Sequence, residues 1–106
     1  MNEYLKSLGF LADCGVMIQM ISYGKYDVYG FYKCNKLTVD LTNKTISSRY
    51  GKFDEIVDFM PLEEQLLYIN IEWWEQSKER WSGWDKMSPA WKEVEKLIEE
   101  RKHENV

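Results

Sequence analysis

The stretch VMIQMISYGKYDVYGFYKCNKLTVDLTNKTISSRY, residues 16–50, decides the fold class. Val16 to Ser22 is apolar nearly throughout and partly β-branched, which is the composition of a strand. Tyr23-Gly24-Lys25 supplies a turn in which glycine admits positive φ. Tyr26 to Cys34 reads as a second strand. One face carries Tyr26, Val28, Gly30 and Tyr32, the other Asp27, Tyr29, Phe31 and Lys33. Aromatics on both faces point to a central position. Asn35-Lys36 turns the chain. Leu37 to Leu41 then alternates, with Leu37, Val39 and Leu41 inward. Thr42-Asn43-Lys44 turns again, and Thr45 to Tyr50 is a fourth strand. Connections of two or three residues cannot make parallel crossovers, so the four strands form an antiparallel meander.

Helices are expected on both sides of this sheet. Residues 2–12 place Tyr4, Leu5, Leu8 and Leu11 at helical spacing behind a capping Asn2, ending near Asp13-Cys14-Gly15. Gly51 is read as the break that ends the sheet. Lys52 to Met60 follows as a connector, with one short turn of helix at Asp54 to Val57. Pro61 suits a first helical position, and Glu63 and Glu64 suit the first turn of a helix dipole. The main helix then spans 61–80, with Leu62, Leu66, Ile69 and Trp73 as its stripe. Leu67, Ile71 and Trp74 widen that stripe. Ser82-Gly83 ends this helix. Ser88-Pro89 caps and opens a last helix, 89–102, that buries Trp91, Val94, Leu97 and Ile98. The predicted fold is α+β: a four-stranded antiparallel meander with a short N-terminal helix and two C-terminal helices packed on one face. It is read as one domain over 1–106, with a helix at 1–14, the sheet at 15–51 and the helical pair at 61–102.

A chain of 106 residues with 44% apolar and 30% charged side chains is globular in composition and long enough to bury a core. No apolar run approaches the length of a membrane span. The opening MNEYLKSLGF carries Glu3 and Lys6 and has no cleavage-like site, so a cytoplasmic location is expected. The only cysteines, Cys14 and Cys34, lack zinc spacing and are expected to be reduced and mostly buried, although adjacent strands would allow a disulfide. Charge divides by halves. Residues 1–52 carry seven Lys/Arg against four acids, and residues 53–106 carry seven against fourteen.

Catalytic constellations are not evident. His103, the only histidine, lies near the C-terminal end of the chain. Ser47, Ser48 and Ser88 lack a partner base, and GKF at 51–53 is too short for a phosphate loop. A paired-carboxylate site needs one buried acid. Asp40 is a candidate by strand position, but alternation puts it on the polar face. The carboxylates as a whole read as solvated faces. No catalytic residue, cofactor or metal ligand is assigned, and a small enzyme is the least favoured class.

Two binding surfaces remain. All five tryptophans fall within Trp73–Trp91. Trp73 and Trp91 fit helix stripes and core packing. Trp81 and Trp84 flank Gly83, where they either plug the helical corner or stand as exposed anchors of the kind that dominate interfaces. Together with Glu75, Glu79 and Asp85 they form the candidate protein-contact surface. The alternative is a single-stranded nucleic-acid face, where Tyr29 would stack bases and Lys25, Lys33 and Arg49 would neutralise phosphates. The acidic second half opposes that alternative. The oligomeric state stays open between monomer and homodimer.

SRYGKFDEIVDF at 48–59, LLYINIEWWEQSKERWSGW at 66–84 and PAW at 89–91 carry one further signal. These runs resemble small proteins of phages and prophages of Gram-positive bacteria, a grouping to which no chemistry is attached. The shared features are an Arg-Tyr-Gly at a strand end, an Asn before a Trp-Trp pair, and a Gly-Trp followed by Pro-x-Trp. The resemblance covers under half of the chain. It implies a phage-related origin and context rather than an activity. Phage accessory proteins of this size often bind and inhibit a host factor. With catalytic constellations lacking, a non-enzymatic protein that binds or inhibits a host protein such as a defence factor is expected.

Overall fold

The structure, a computed structural model, describes residues 2–31, 35–48, 51–77 and 87–104. Helix α1 spans Asn2–Asp13 and buries Ser7, Leu8 and Leu11. Its end is a Schellman motif. Gly15 N–H donates to Ala12 C=O at 3.0 Å and Val16 N–H to Leu11 C=O at 3.0 Å. Gly15 sits at φ 100°, in the left-handed region that a side chain disfavours. Buried Val16 then leads into the sheet.

The sheet has five strands in the order β1-β2-β3-β4-β5, every neighbouring pair antiparallel. They are β1 (Ile18–Ser22), β2 (Lys25–Tyr29), β3 (Lys36–Asp40), β4 (Thr45–Ser48) and β5 (Phe53–Glu55). The α+β class and the meander hold, but the sheet has five strands rather than four. The fifth lies where a connector with a short helical turn was expected. Gly51 does not end the sheet. Ser48 N–H donates to Lys52 C=O and Gly51 N–H to Ser48 C=O, closing a turn that folds β5 back onto β4. Ile46 then faces Asp54, and Ser47 faces Phe53.

Strand β2 stops at Tyr29 instead of running to Cys34. Gly30 is closely approached there: its N–H bonds Asn35 C=O, and Asn70 Oδ1 stands 2.5 Å from where a Cβ would be. Phe31, read as a strand residue, leaves the ladder and is buried against Trp91. Cys14 carries a free thiol, as expected, and is half-buried, while Cys34 lies outside the described residues.

Helix α2 spans Leu62–Ser77 and α3 spans Pro89–Glu104. Ser88 caps α3 as expected, with Trp91 N–H 3.5 Å from Ser88 Oγ. The side chain of Gln65 ties α2 to the end of β5. Its Nε2 donates to Glu55 C=O at 2.7 Å, and its Oε1 accepts from Val57 N–H at 3.1 Å.

One face of the sheet carries Val28, Leu37, Val39 and Ile46, all without solvent exposure. They share one apolar cluster with Leu8 and Leu11 of α1, with Leu62, Leu66, Leu67, Ile69 and Trp73 of α2, and with Trp91, Val94 and Ile98 of α3. Trp91 joins the layers. Its Nε1–H donates to Tyr29 C=O at 2.9 Å, and its ring meets Phe31 edge-on with centroids 6.0 Å apart. Among the described residues no helix is long and apolar enough to cross a membrane.

Candidate interaction surfaces

Of the expected protein-contact residues, Trp81, Trp84, Asp85 and Glu79 lie outside the described residues. Glu75 is exposed near the end of α2. Of the nucleic-acid candidates, Lys33 and Arg49 lie outside the described residues. Lys25 and Tyr29 stand at opposite ends of β2, on the sheet face away from Val28. Tyr29 is half-buried, and its backbone is tied on both sides, to Met17 C=O and to the Trp91 indole. Between the two sits Asp27, which pairs with Lys36 at 3.1 Å and accepts from Thr38 Oγ1 at 2.9 Å. Lys36, opposite Tyr29 on β3, is thus paired with an acid of the same face.

Three carboxylates, Asp27 and Asp40 of the sheet and Glu63 of α2, are buried, each with a partner. Asp27 is held by Lys36 and Thr38. Asp40 is 7% exposed and caps the turn that follows β3. It accepts from Thr42 N–H and Asn43 N–H, both at 3.0 Å, and from Asn43 Nδ2 at 2.9 Å. The bonds from Asn43 hold its carboxyl below the usual range. Glu63 is 4% exposed and receives both terminal nitrogens of Arg101 at 3.5 Å, with the guanidinium 5.0 Å over Phe10. That pair forms one wall of a cleft of about 710 Å³ between α1 and the connector from Val57 to Pro61. Among the described residues no cluster of His, Cys, Asp and Glu could hold a metal ion.

Acidic charge collects at β5 and α2. Helix α2 carries Glu63, Glu64, Glu72 and Glu75 and no basic residue. Asp54 occupies the β5 position facing Ile46, and its carboxyl is pushed above the usual range by burial and then by the charge of Glu72. Lys52 bonds Gln76 Oε1 and lies 5.6 Å over the Trp73 ring. Gln76 in turn donates to Glu72.

Strand β1, at the other edge, has the opposite character. Met17 is 58% exposed, Met20 65%, Ile21 53% and Tyr23 87%. From Cys14 to Gly24 there is no charged residue. The apolar run at 16–22 reads as a strand from its residues alone. Its edge position depends on strand order, which residue pattern alone does not carry. No protein-family model matches the chain, and neither a curated protein nor a solved structure does.

Proposed function

We propose that the chain is a non-enzymatic binding protein that presents the acidic side built by β5 and α2 to a basic surface of another protein. The observation that carries this reading is the gathering of acids at this edge, where Asp54 and Glu55 of β5 accompany an α2 that holds Glu64, Glu72 and Glu75 and no basic residue. Like charges gathered on one side of a protein favour a basic partner surface. The reading takes all three helices to cover the sheet face that carries Val28 and Ile46. It enlists Trp81 and Trp84, next in the chain after α2, as apolar anchors, with Glu79 and Asp85 adding acidic charge. The resemblance to phage proteins makes a cytoplasmic host protein, such as a defence factor, the partner.

The test is capture from a bacterial host lysate, with bound proteins identified by mass spectrometry. A specific basic protein is expected, released by moderate salt and lost with Glu72→Gln/Glu75→Gln at unchanged melting temperature. Capture that survives both charge neutralisation and Trp81→Ala/Trp84→Ala would sink the reading.

A further inference from the structure

We propose that the chain forms a symmetric dimer by pairing β1 with β1 of a second copy, joining two sheets into one of ten strands. Hydrogen-bond alternation defines what this edge offers. Tyr29 N–H donates to Met17 C=O at 3.0 Å, which makes Met17 and Tyr29 a hydrogen-bonded pair of the antiparallel ladder. On the far side of β2, Leu41 N–H donates to Gly24 C=O at 2.8 Å, and the same alternation follows from that bond. Hydrogen-bonded and non-bonded pairs alternate, so the backbone groups of Met17 and Gln19 face β2. Those of Ile18 and Met20 point outward.

One two-fold register satisfies all of them. With Gln19 opposite Gln19 of the second copy, Ile18 faces Met20 of that copy. Each such pair exchanges two N–H···O bonds, four in all. The same register sets the two Gln19 amides side by side. Every pair is then apolar with apolar or amide with amide. A shift by one residue either way would set Gln19 against Met17 or Ile21. The register slip in β1 falls between Met20 and Ser22 and leaves Ile18 to Met20 regular.

Charge selects a second copy as the occupant. The chain carries a net charge of −4, so most approaches between two copies are repulsive. Cys14 to Gly24 is its longest uncharged stretch and brings no like charges together. Edge strands are ordinarily guarded by charge, proline or brevity. The β5 edge follows that rule, with three residues that include Asp54 and Glu55. β1 has five residues and neither lysine nor proline.

Analytical ultracentrifugation over a concentration series tests the proposal. The wild type is expected to rise from 12.7 kDa toward twice that mass. Gln19→Lys sets two ammonium groups opposite each other across the two-fold and should hold the mass at 12.7 kDa at concentrations where the wild type is half dimeric. Circular dichroism melting shows whether that variant is folded. Independently, Gln19→Cys places two thiols on a non-hydrogen-bonded pair with Cα atoms about 4.5 Å apart, within reach of a disulfide. It should cross-link on oxidation well above the level seen for Ser47→Cys, which lies on β4 with the same native thiols present. A wild type that stays at 12.7 kDa up to its solubility limit overturns the proposal and leaves the edge to a strand of a different protein. So does a Gln19→Lys variant that dimerises as well as the wild type, or cross-linking equal at both positions. The surface is separate from β5 and α2, so failure here does not touch the acidic-face reading.

Discussion

Replacing Trp91 by phenylalanine isolates what the indole adds to the core. Trp91 is 1% exposed, so nearly its whole surface is lost from water on folding. Phenylalanine keeps a six-membered ring near Phe31 but removes the pyrrole half and the Nε1–H that donates to Tyr29 C=O. Leaving that carbonyl without its donor costs about 1–2 kcal/mol. The lost ring atoms cost about 1–2 kcal/mol more through transfer and residual cavity. The expected total is about 2–4 kcal/mol, a large share of the roughly 5–15 kcal/mol that holds a domain of this size folded. The corresponding drop in melting temperature is about 10 °C or more. Urea unfolding followed by far-ultraviolet circular dichroism reads the change without relying on tryptophan fluorescence. A midpoint shift equivalent to under about 0.5 kcal/mol, at unchanged m-value, would show that neither the indole bond nor the ring packing joins sheet and helix as described.

Three further outcomes follow from local geometry. Gly15→Ala meets only Ala90 Cβ at 3.6 Å, so its cost of about 1 kcal/mol comes from φ 100° alone, measurable by the same unfolding curve. Gly30→Ala brings a methyl to 2.5 Å from Asn70 Oδ1 and 2.8 Å from Asn35 C=O, and calorimetry should show about 1–3 kcal/mol of destabilisation. With Asn70→Ala added, the loss should be smaller than the sum of the single losses, since the two residues touch. Asp54 has a folded pKa above its ordinary 3.8, so its ionised form is the disfavoured one in the fold. Its contribution is therefore neutral below that value and turns destabilising as pH rises through the raised pKa. Asp54→Asn should raise the melting temperature at pH 7 and leave it unchanged at a pH well below 3.8, as scanning calorimetry at both would show.

Much of the fold was legible because local chemistry and global structure agree. Gly15 after an apolar helix and Ser88-Pro89 before one are end signals whose mechanism is contained in a few residues. β3 alternates, and its inward Leu37 and Val39 are fully buried. β5 was not legible. Phe-Asp-Glu is too short for a period, and its acids suit a helix start, so only the turn at Gly51 makes it a strand. The end of β2 was also hidden, because it is set by Asn70 and Asn35, one of them forty residues away. Charge counts showed that the second half is acidic, but not which acids would be buried. Glu63 is buried because Arg101, 38 residues later, reaches it. The exposed β1 edge needed strand order, and the Trp81–Trp84 corner lies outside the described residues.

The sequential strand order has a consequence for how the chain assembles. Each strand pairs with the one made just before it, so the meander closes only short loops and can form hairpin by hairpin. The bond from Trp91 to Tyr29 spans 62 residues. During synthesis, the five strands are complete long before Trp91 exists to join the apolar cluster that holds Val28 and Ile46. Over the roughly forty residues translated beyond β4, α2 adds its own apolar side chains to the cluster, and Trp91, Val94 and Ile98 of α3 come last. The uncharged β1 edge is exposed throughout, so the nascent chain carries an adhesive edge as well as an unfinished core until α3 is made.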